Sequence, residues 1–355
     1  MSTAAPLSAR ELSALKSQSG HGDTSGRWDF LDYLARKLAA AVISFAVLLV
    51  VGFVIFSLMP SDPVATMTRG RPTSAKQMAA LIRRFGLNQP VWERFGHFVA
   101  DTCTGHLGYS WQFQAPVATL IAQRLWPTLL LMGSSTIISV VLGMWLGIHS
   151  GWRPGSMLDR ASTASAITLW SVPTFWLGII LLVVFSSGFG PFPALFPAGG
   201  MSTPGVPGGF TPEHILDVAR HLVLPCLTLV LVVFGQYQMI MRSSMIDELG
   251  NPYLLTARAK GLRDAEVRNR HAVPNALLPS VTLVFLQVGT MISGAITVET
   301  VYSWPGLGYL TYQALQIPDL PLLEGTFIIF SASVIVFNLL ADLLYRHLDP
   351  RVRRT

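Results

Sequence analysis

Six long stretches without charged side chains constrain this 355-residue sequence more than any other feature. A helix that crosses a bilayer needs about 20 mostly apolar residues, because lipid offers the backbone no hydrogen-bond partners. Only 12% of the residues are charged, compared with about 25% in a typical soluble protein. We therefore predict an all-α polytopic membrane protein with six transmembrane helices. The predicted spans are residues 38–61, 125–149, 162–186, 222–241, 276–298 and 325–344.

The distribution of Lys and Arg predicts the orientation of these spans, because basic residues concentrate on the cytoplasmic side of membrane proteins. With the N-terminus inside, the predicted inner segments hold 17 of the 25 basic residues. We therefore expect both termini to be cytoplasmic. The cytoplasmic tail is predicted at residues 1–37, the core of spans two to six at 125–350, and the cytoplasmic C-terminus at 351–355. The first apolar stretch is too long for the apolar region of a signal peptide.

The predicted external loop at residues 62–124 has the pattern of two amphipathic helices. The first is expected to end at Gly86, because glycine tolerates the backbone conformation that closes a helix, and the second begins at Pro90. The apolar residues are Met78, Leu81, Ile82 and Phe85 in the first helix, and Val91, Phe95 and Phe98 in the second. Three placements are open for such helices: a cap packed on the span ends, a position on the bilayer surface, or a contact with a soluble partner.

A carboxylate and two large aromatic side chains follow the fifth span. We interpret Tyr302 and Trp304 as anchors at the membrane interface, where such rings are enriched. Glu299 is expected to be solvated or ion-paired at the helix end, with a contact to substrate as the alternative. The proline and glycines of residues 305–308 predict a rigid turn.

The loop between the fourth and fifth spans, residues 242–275, has the pattern of two helices joined by a tight turn. The pair Asn251–Pro252 favours a helix start, because Asn caps helices and Pro fits the first turn. Gly261 is expected to end this helix, and a second short helix is predicted at about residues 263–271. Pro274 is then expected to break the chain. An ordinary basic loop that only sets the topology is the alternative.

This loop contains the segments Thr256-Ala257-Arg258-Ala259-Lys260-Gly261-Leu262 and His271-Ala272-Val273-Pro274-Asn275-Ala276-Leu277-Leu278-Pro279. Both resemble the EAA loop of binding-protein-dependent ABC transporter permeases, in the form of the dipeptide, oligopeptide and nickel branch. Residues 58–63, 86–90, 298–308, 338–344 and 348–351 resemble the same branch. Where the family motif opens with Glu-Ala-Ala, this chain has Leu255, Thr256 and Ala257. The chain is thus similar to the B-type permease subunit of a peptide importer, with the type I importer permease fold.

The resemblance implies that the loop couples the permease to separate ATPase subunits. The residues that it assigns to this coupling are Thr256, Ala257, Arg258, Ala259, Lys260, Gly261, Leu262, Arg263, Asp264, His271 and Pro274. It further implies a homologous sister permease, two ABC ATPase subunits or one fused ATPase, and an extracytoplasmic substrate-binding protein, all at the bilayer of a bacterial cell membrane. No nucleic-acid partner is expected. Short peptides are the expected cargo, with nickel chelates, glutathione and glycosides as alternatives.

The sequence lacks a loop of the Walker A type, which places Gly immediately before its Lys. The residues that precede the four lysines are Leu15, Arg36, Ala75 and Ala259. We therefore expect a non-catalytic subunit without a cofactor of its own, in which ATP and Mg are bound by the partner ATPase subunits. An intramembrane metalloprotease is disfavoured as well, because the chain has no His-Glu-x-x-His motif.

The polar residues of the spans disfavour an ion-coupled secondary carrier, which usually holds ionisable groups deep in the membrane. The ionisable side chains in the predicted spans of this chain lie near helix ends, at His149, Glu299 and Asp342. Four amide side chains either line a translocation path or, as is commoner, form hydrogen bonds between helices. They are Gln236, Gln238, Gln287 and Asn338. Gly143 and Gly147 are expected to form a helix-packing surface.

Overall fold

The computed structural model describes residues 22–58, 89–188, 193–290 and 296–348, and most of these residues are helical. In chain order the helices are α1 (Gly22–Leu58), α2 (Val91–Cys103), α3 (Val117–Trp152), α4 (Met157–Ser171), α5 (Thr174–Leu182), α6 (Pro212–Leu249), α7 (Pro252–Ala259), α8 (Asp264–Glu266), α9 (Val273–Thr290), α10 (Ile296–Val301), α11 (Leu307–Gln316) and α12 (Leu320–Leu348). π-helical turns extend α5 (Val183–Ser187) and join α8 to α9 (Val267–Ala272). An antiparallel hairpin pairs β1 (Tyr109–Ser110) with β2 (Ala115–Pro116).

Four of the described helices are long and apolar enough to cross a membrane, namely α1 from Leu31 onwards, α3, α6 and the part of α12 up to Leu343. Together, α4 and α5 with its π-helical end form one broken span, bent by 101°. Val172 is extended at the bend (φ −81°, ψ 129°), because the following Pro173 disfavours a helical conformation there. The predicted all-α polytopic membrane fold is confirmed. The count of six spans stays a prediction, because the predicted fifth span includes residues 291–295, which lie outside the described ranges.

The bundle has two ends, which we name by their landmarks. The hairpin end carries β1–β2 and the first residues of α3 and α12. There the buried Asp319, just before α12, accepts hydrogen bonds from Ser110 Oγ (2.6 Å) and the Gln112 amide (2.9 Å). The turn end carries α7, α8 and the last residues of α3 and α6. Both α3 and α6 therefore run in the same direction, from the hairpin end to the turn end.

A run of glycines on α3 brings this helix into backbone contact with α6. A Cβ added at Gly143 would lie 2.7 Å from Tyr237 Cβ, and one at Gly147 would lie 2.6 Å from Met241 Cβ. Gly151 continues the run one turn later, against the Arg242 carbonyl. Small residues at this spacing let helix backbones approach closely. The predicted packing surface at Gly143 and Gly147 is thereby confirmed.

Among the described residues, buried apolar side chains form three clusters along the bundle. The hairpin cluster joins α3, α11 and α12 through Val117, Leu120, Ile121, Leu307, Leu310, Ala314, Leu322 and Leu323. The exit cluster joins α3, α6 and α10 through Leu131, Leu224, Cys226, Leu229, Val230, Val298, Tyr302 and Trp304. The turn cluster joins the ends of α3, α6, α7 and α9 through Trp152, Met241, Met245, Leu254, Ala257, Val267, Ala272 and Ala276. The ends of α3 and α6 are therefore the framework on which the other elements pack.

The peripheral helix α1 packs against α12 and α2. Lys37 Nζ forms an ion pair with Asp342 Oδ2 at 2.7 Å. Helix α2 begins directly after Pro90, as predicted. The rings of its Phe95 and Phe98 lie 5.2 and 5.7 Å from the ring of Phe53 on α1. The predicted helix around residues 78–85 lies outside the described ranges.

Candidate coupling site

The helix after the fourth predicted span begins at Pro252, as expected, but its start is not stabilised in the expected way. Asn251 lies at the cap position without capping the helix. Its Nδ2 instead donates to Glu248 Oε2 at 2.7 Å, and the Tyr253 hydroxyl donates to the same carboxylate oxygen. Asn275 Nδ2, at the start of α9, donates to the Tyr253 hydroxyl at 3.1 Å. This cluster ties α7 to both α6 and α9.

The Tyr253 hydroxyl is suited to this role because it stays protonated. Burial, followed by the hydrogen bond to the Glu248 carboxylate, raises the pKa of Tyr253 above its usual value. A protonated phenol both donates to Glu248 and accepts from Asn275, so one side chain links two helices.

Gly261 closes α7, which confirms the predicted turn. Its φ is +80°, a region that residues with a side chain rarely adopt. Its amide donates to the Arg258 carbonyl at 2.9 Å. A Cβ added at Gly261 would meet no atom within 4 Å. Glycine is therefore required here by the backbone conformation and not by crowding.

The second helix of the loop differs from its prediction. Helix α8 covers Asp264–Glu266 and continues through the π-helical turns of Val267–Ala272 into α9. The prediction that Pro274 breaks the chain is wrong, since Pro274 lies inside α9, at its second residue. A wider turn relieves the clash between a proline ring and the carbonyl four residues earlier. The proline is thus accommodated, and α8 and α9 form a continuous element.

The loop presents two different faces. Its inner face belongs to the turn cluster, in which Leu254 and Ala257 are buried against Trp152, Met241 and Met245. The exposed face consists of Leu255, Thr256, Arg258, Ala259, Lys260, Gly261, Arg263, Asp264 and Arg270, while Leu262 and His271 are half-buried. Leu255 has 65% of its surface exposed. The exposed face thus combines this apolar side chain with basic and small residues.

Trp152, the last residue of α3, connects the two sides of the Gly261 turn. Its Nε1 donates to Asp264 Oδ2 at 2.8 Å. The guanidinium of Arg258 lies 5.5 Å from the centre of the Trp152 ring and 4.0 Å from Asp264 Oδ1. Sequence analysis missed this residue, because a tryptophan at the end of an apolar stretch is typical of any membrane interface.

An ion pair near the turn end joins α4 to α6. Arg242 Nη2 donates to Asp159 Oδ2 at 2.9 Å, and a second hydrogen bond joins Arg242 Nε to Asp159 Oδ1. The Gly155 amide also donates to Asp159 Oδ2, at 2.8 Å. This bidentate geometry fixes the orientation of both side chains. The ion pair therefore ties α4 to α6 near the turn end.

The predicted path residues occupy different environments. Gln238 is completely buried, with Nε2 3.4 Å from both Ser150 Oγ and Ser162 Oγ. Gln236 is half-buried and Asn338 is exposed. Gln287 lies on α9, and its side chain is outside the described part of the structure. The contacts of Gln238 are hydrogen bonds between helices in this conformation.

Two expectations about the end of the fifth span are wrong. Tyr302 and Trp304 are buried in the exit cluster and do not anchor the protein at an interface. Glu299 is neither solvated nor ion-paired, since it is completely buried and hydrogen-bonded to Thr128 Oγ1 and the Tyr309 amide. The turn of residues 305–308 covers Glu299. Tyr302 instead contacts α5 and α6, and Trp304 contacts α3. Within the described residues, no group of three His, Cys, Asp or Glu is placed to hold a metal ion.

The chain matches known membrane components along most of its length. Residues 139–354 match the family described as binding-protein-dependent transport system inner membrane component. Residues 30–132 match the N-terminal part of binding-protein-dependent transport system membrane components.

Three relatives share about a third of their residues with this chain. The dipeptide transport system permease protein DppB of Escherichia coli K12 is 33% identical over 340 residues, covering 91% of this chain and 99% of DppB. A putative peptide permease of Brucella suis is 36% identical over 327 residues, covering 92% and 100% of the two chains. The glutathione transport system permease protein GsiC of Escherichia coli O6:H1 is 33% identical over 324 residues, covering 91% and 99%. The chain therefore belongs to the family of binding-protein-dependent transport system inner membrane components and is a multi-pass permease.

Proposed function

We propose that this chain is a permease subunit of an ATP-driven importer and that its exposed loop around Gly261 receives a separate ATPase subunit. The observation that carries the proposal is the two-faced loop. Its inner side is held by the turn cluster and by Trp152, and its outer side exposes small, basic and apolar residues. A loop anchored in this way moves together with the ends of α3, α6 and α9. A force applied to its exposed face is therefore transmitted to the bundle.

The proposed orientation places the turn end in the cytoplasm, together with both termini. The excess of Lys and Arg in the segments at this end supports it. ATP binding to two ATPase subunits would favour one arrangement of the helices, and ATP hydrolysis would favour the other. A sister permease completes the pathway, and an extracytoplasmic binding protein delivers cargo at the hairpin end.

Short peptides are the cargo that we propose. The names of two relatives, a dipeptide permease and a putative peptide permease, support this choice. Glutathione is the second candidate, because GsiC is named as a glutathione permease and glutathione is itself a short peptide. Uptake by the complete complex in proteoliposomes, with labelled dipeptide, glutathione and a nickel chelate in parallel, would identify the class. Import of the nickel chelate alone would contradict the peptide proposal.

A substitution at Gly261 tests the coupling role. Gly261→Val forces a β-branched residue to φ +80°, which costs about 1–3 kcal/mol and distorts the turn. We expect normal membrane insertion, but loss of both peptide uptake and cargo-stimulated ATP hydrolysis in the assembled complex. Gly250→Val is the matched control, because a Cβ there also meets no atom within 4 Å whereas its φ is −79°. Normal uptake by Gly261→Val would contradict the proposed coupling.

A further inference from the structure

The exit segment, which we define as residues 298–309, contains three buried polar side chains. The exposed fractions of Glu299, Tyr302 and Trp304 are 0%, 1% and 0%. Burying such groups is costly unless each one is hydrogen-bonded. All three are hydrogen-bonded, and each to a different set of helices. The segment is therefore a junction between helices.

The Glu299 carboxylate joins α3 to the start of α11. Thr128 Oγ1 donates to Glu299 Oε1 at 2.7 Å, and the Tyr309 amide donates to Glu299 Oε2 at 2.9 Å. The Leu307 amide in turn donates to Thr128 Oγ1 at 2.8 Å. A Cβ added at Gly306 would overlap the carboxylate, so the glycine of the turn makes room for it. Glu299 thus satisfies amides at the start of α11 that have no partner inside that helix.

The two aromatic side chains extend the junction to α5 and α6. The Tyr302 hydroxyl lies 3.0 Å from the Gly178 carbonyl of α5 and 2.9 Å from Thr228 Oγ1 of α6. Trp304 Nε1 donates to the Pro127 carbonyl of α3 at 2.9 Å. Four helices therefore meet on a single short segment.

We propose that Glu299 is a positioning residue for transport, which with Tyr302 and Trp304 joins the hairpin-end parts of α3, α5, α6 and α11 into one body that stays intact through the transport cycle. The inference rests on the proposed function, because it concerns the movement by which an importer alternates. Helices joined in this way do not separate from one another to admit cargo. Opening at the hairpin end then takes place along the face that this chain presents to its sister permease.

A disulfide between α5 and α10 tests whether the junction stays closed. A Cβ added at Gly178 would lie 3.4 Å from Val301 Cγ1 and 3.5 Å from the Tyr302 ring, which are ordinary contacts. Val301 Cγ1 occupies one of the positions open to a cysteine Sγ, so Gly178→Cys and Val301→Cys bring a sulfur close to the Cβ across the contact. The background is Cys103→Ser with Cys226→Ala, and Gly178→Cys alone is the control. Mass spectrometry measures disulfide formation in the complete complex.

We expect the oxidised complex to import peptide within about twofold of the reduced complex, because a bond across a rigid junction restrains nothing that moves. Loss of uptake on oxidation, restored by reductant and absent in the single-cysteine control, would overturn the inference. Failure of the disulfide to form would overturn the contact on which it depends. If the unmodified complex imports no peptide, the proposed function fails instead, so the two failures are distinguishable.

The variant Glu299→Gln tests the positioning role. The amide offers one acceptor oxygen in place of two, so either Thr128 Oγ1 or the Tyr309 amide loses its partner. We expect uptake per ATP hydrolysed to fall about tenfold, in line with the cost of one unpaired buried donor, because the link between α3 and α11 is reduced to the hydrogen bond from the Leu307 amide to Thr128 Oγ1. Glu213→Gln is the matched control, since Glu213 is exposed at the start of α6.

The ratio of uptake to hydrolysis separates positioning from simple loss of stability. A purely structural role would lower the amount of complex recovered and leave this ratio unchanged. An unchanged ratio in Glu299→Gln would therefore overturn the proposal, whatever the yield.

Discussion

Hydrogen bonds at two levels of α3 help to hold the loop and the exit segment. At the turn end, Trp152 binds Asp264 through Nε1 and lies beneath Arg258. At the hairpin end, Thr128 Oγ1 donates to Glu299 and accepts from the Leu307 amide. Each of these side chains connects elements that are more than a hundred residues apart in the sequence. They are therefore the residues through which α3 holds distant parts of the chain.

The substitution Trp152→Phe isolates the hydrogen bond at the turn end. A phenyl ring keeps the apolar contacts of the turn cluster and loses the donor to Asp264. We expect a loss of about 1 kcal/mol in the docking of the turn, seen as faster hydrogen exchange at residues 258–264. Trp145→Phe, an exposed tryptophan on the same helix, is the control. Equal exchange in both variants would show that the indole N–H contributes nothing.

At the scale of elements, α3 and α6 approach each other closely for a physical reason. Glycines recur every four residues on one face of α3, so the two backbones touch where side chains would otherwise separate them. The other elements depend on this pair, since α4 is held by Asp159 and Arg242, and α7 by the turn cluster.

Replacing a glycine of this run should separate the two helices. In Gly147→Val, the new Cβ would lie 2.6 Å from Met241 Cβ and 2.7 Å from the Gln238 carbonyl. We expect destabilisation of about 1–3 kcal/mol, measured as a lower thermal unfolding temperature in detergent. Gly133→Val on the same helix is the control, because a Cβ there meets no atom within 4 Å. If the two variants unfold at the same temperature, the contact is not required for stability.

Local signals in the sequence predict local structure well. The Asn251–Pro252 start, the Gly261 turn and the Gly143–Gly147 packing surface each depend on residues close together in the chain. Two local expectations failed for local reasons. Asn251 binds Glu248 in the preceding turn and does not cap α7, and Pro274 is tolerated because π-helical turns directly precede it. Glu299 failed for a different reason, because its placement depends on Thr128, a distant residue that lies beside it in the fold.

At the scale of the whole molecule, the sequence has no Walker A loop, and the described helices leave much apolar surface uncovered. Large apolar side chains on α1, α3 and α4 are exposed, among them Val42, Ile137, Val141 and Trp170. In a membrane such surface contacts lipid or another membrane subunit. The permease thus exposes an apolar surface that suits a bilayer and a larger membrane assembly.

The purified chain alone should therefore show no ATPase activity. No lysine of this sequence follows a glycine, so the Walker A arrangement that binds the ATP phosphates is missing. Phosphate release should equal that of empty detergent micelles, and should rise only when the ATPase subunits are added. Hydrolysis by the chain alone, in a preparation free of other proteins by mass spectrometry, would contradict this expectation.

The direction of α3 has an electrostatic consequence. Aligned peptide dipoles give a helix about half a negative charge at its C-terminus, and α3 ends with Trp152 at the turn end. The guanidinium of Arg258 lies over the ring of this last residue, where a positive charge is favourable. The basic loop thus supplies a counter-charge to the end of the helix against which it packs.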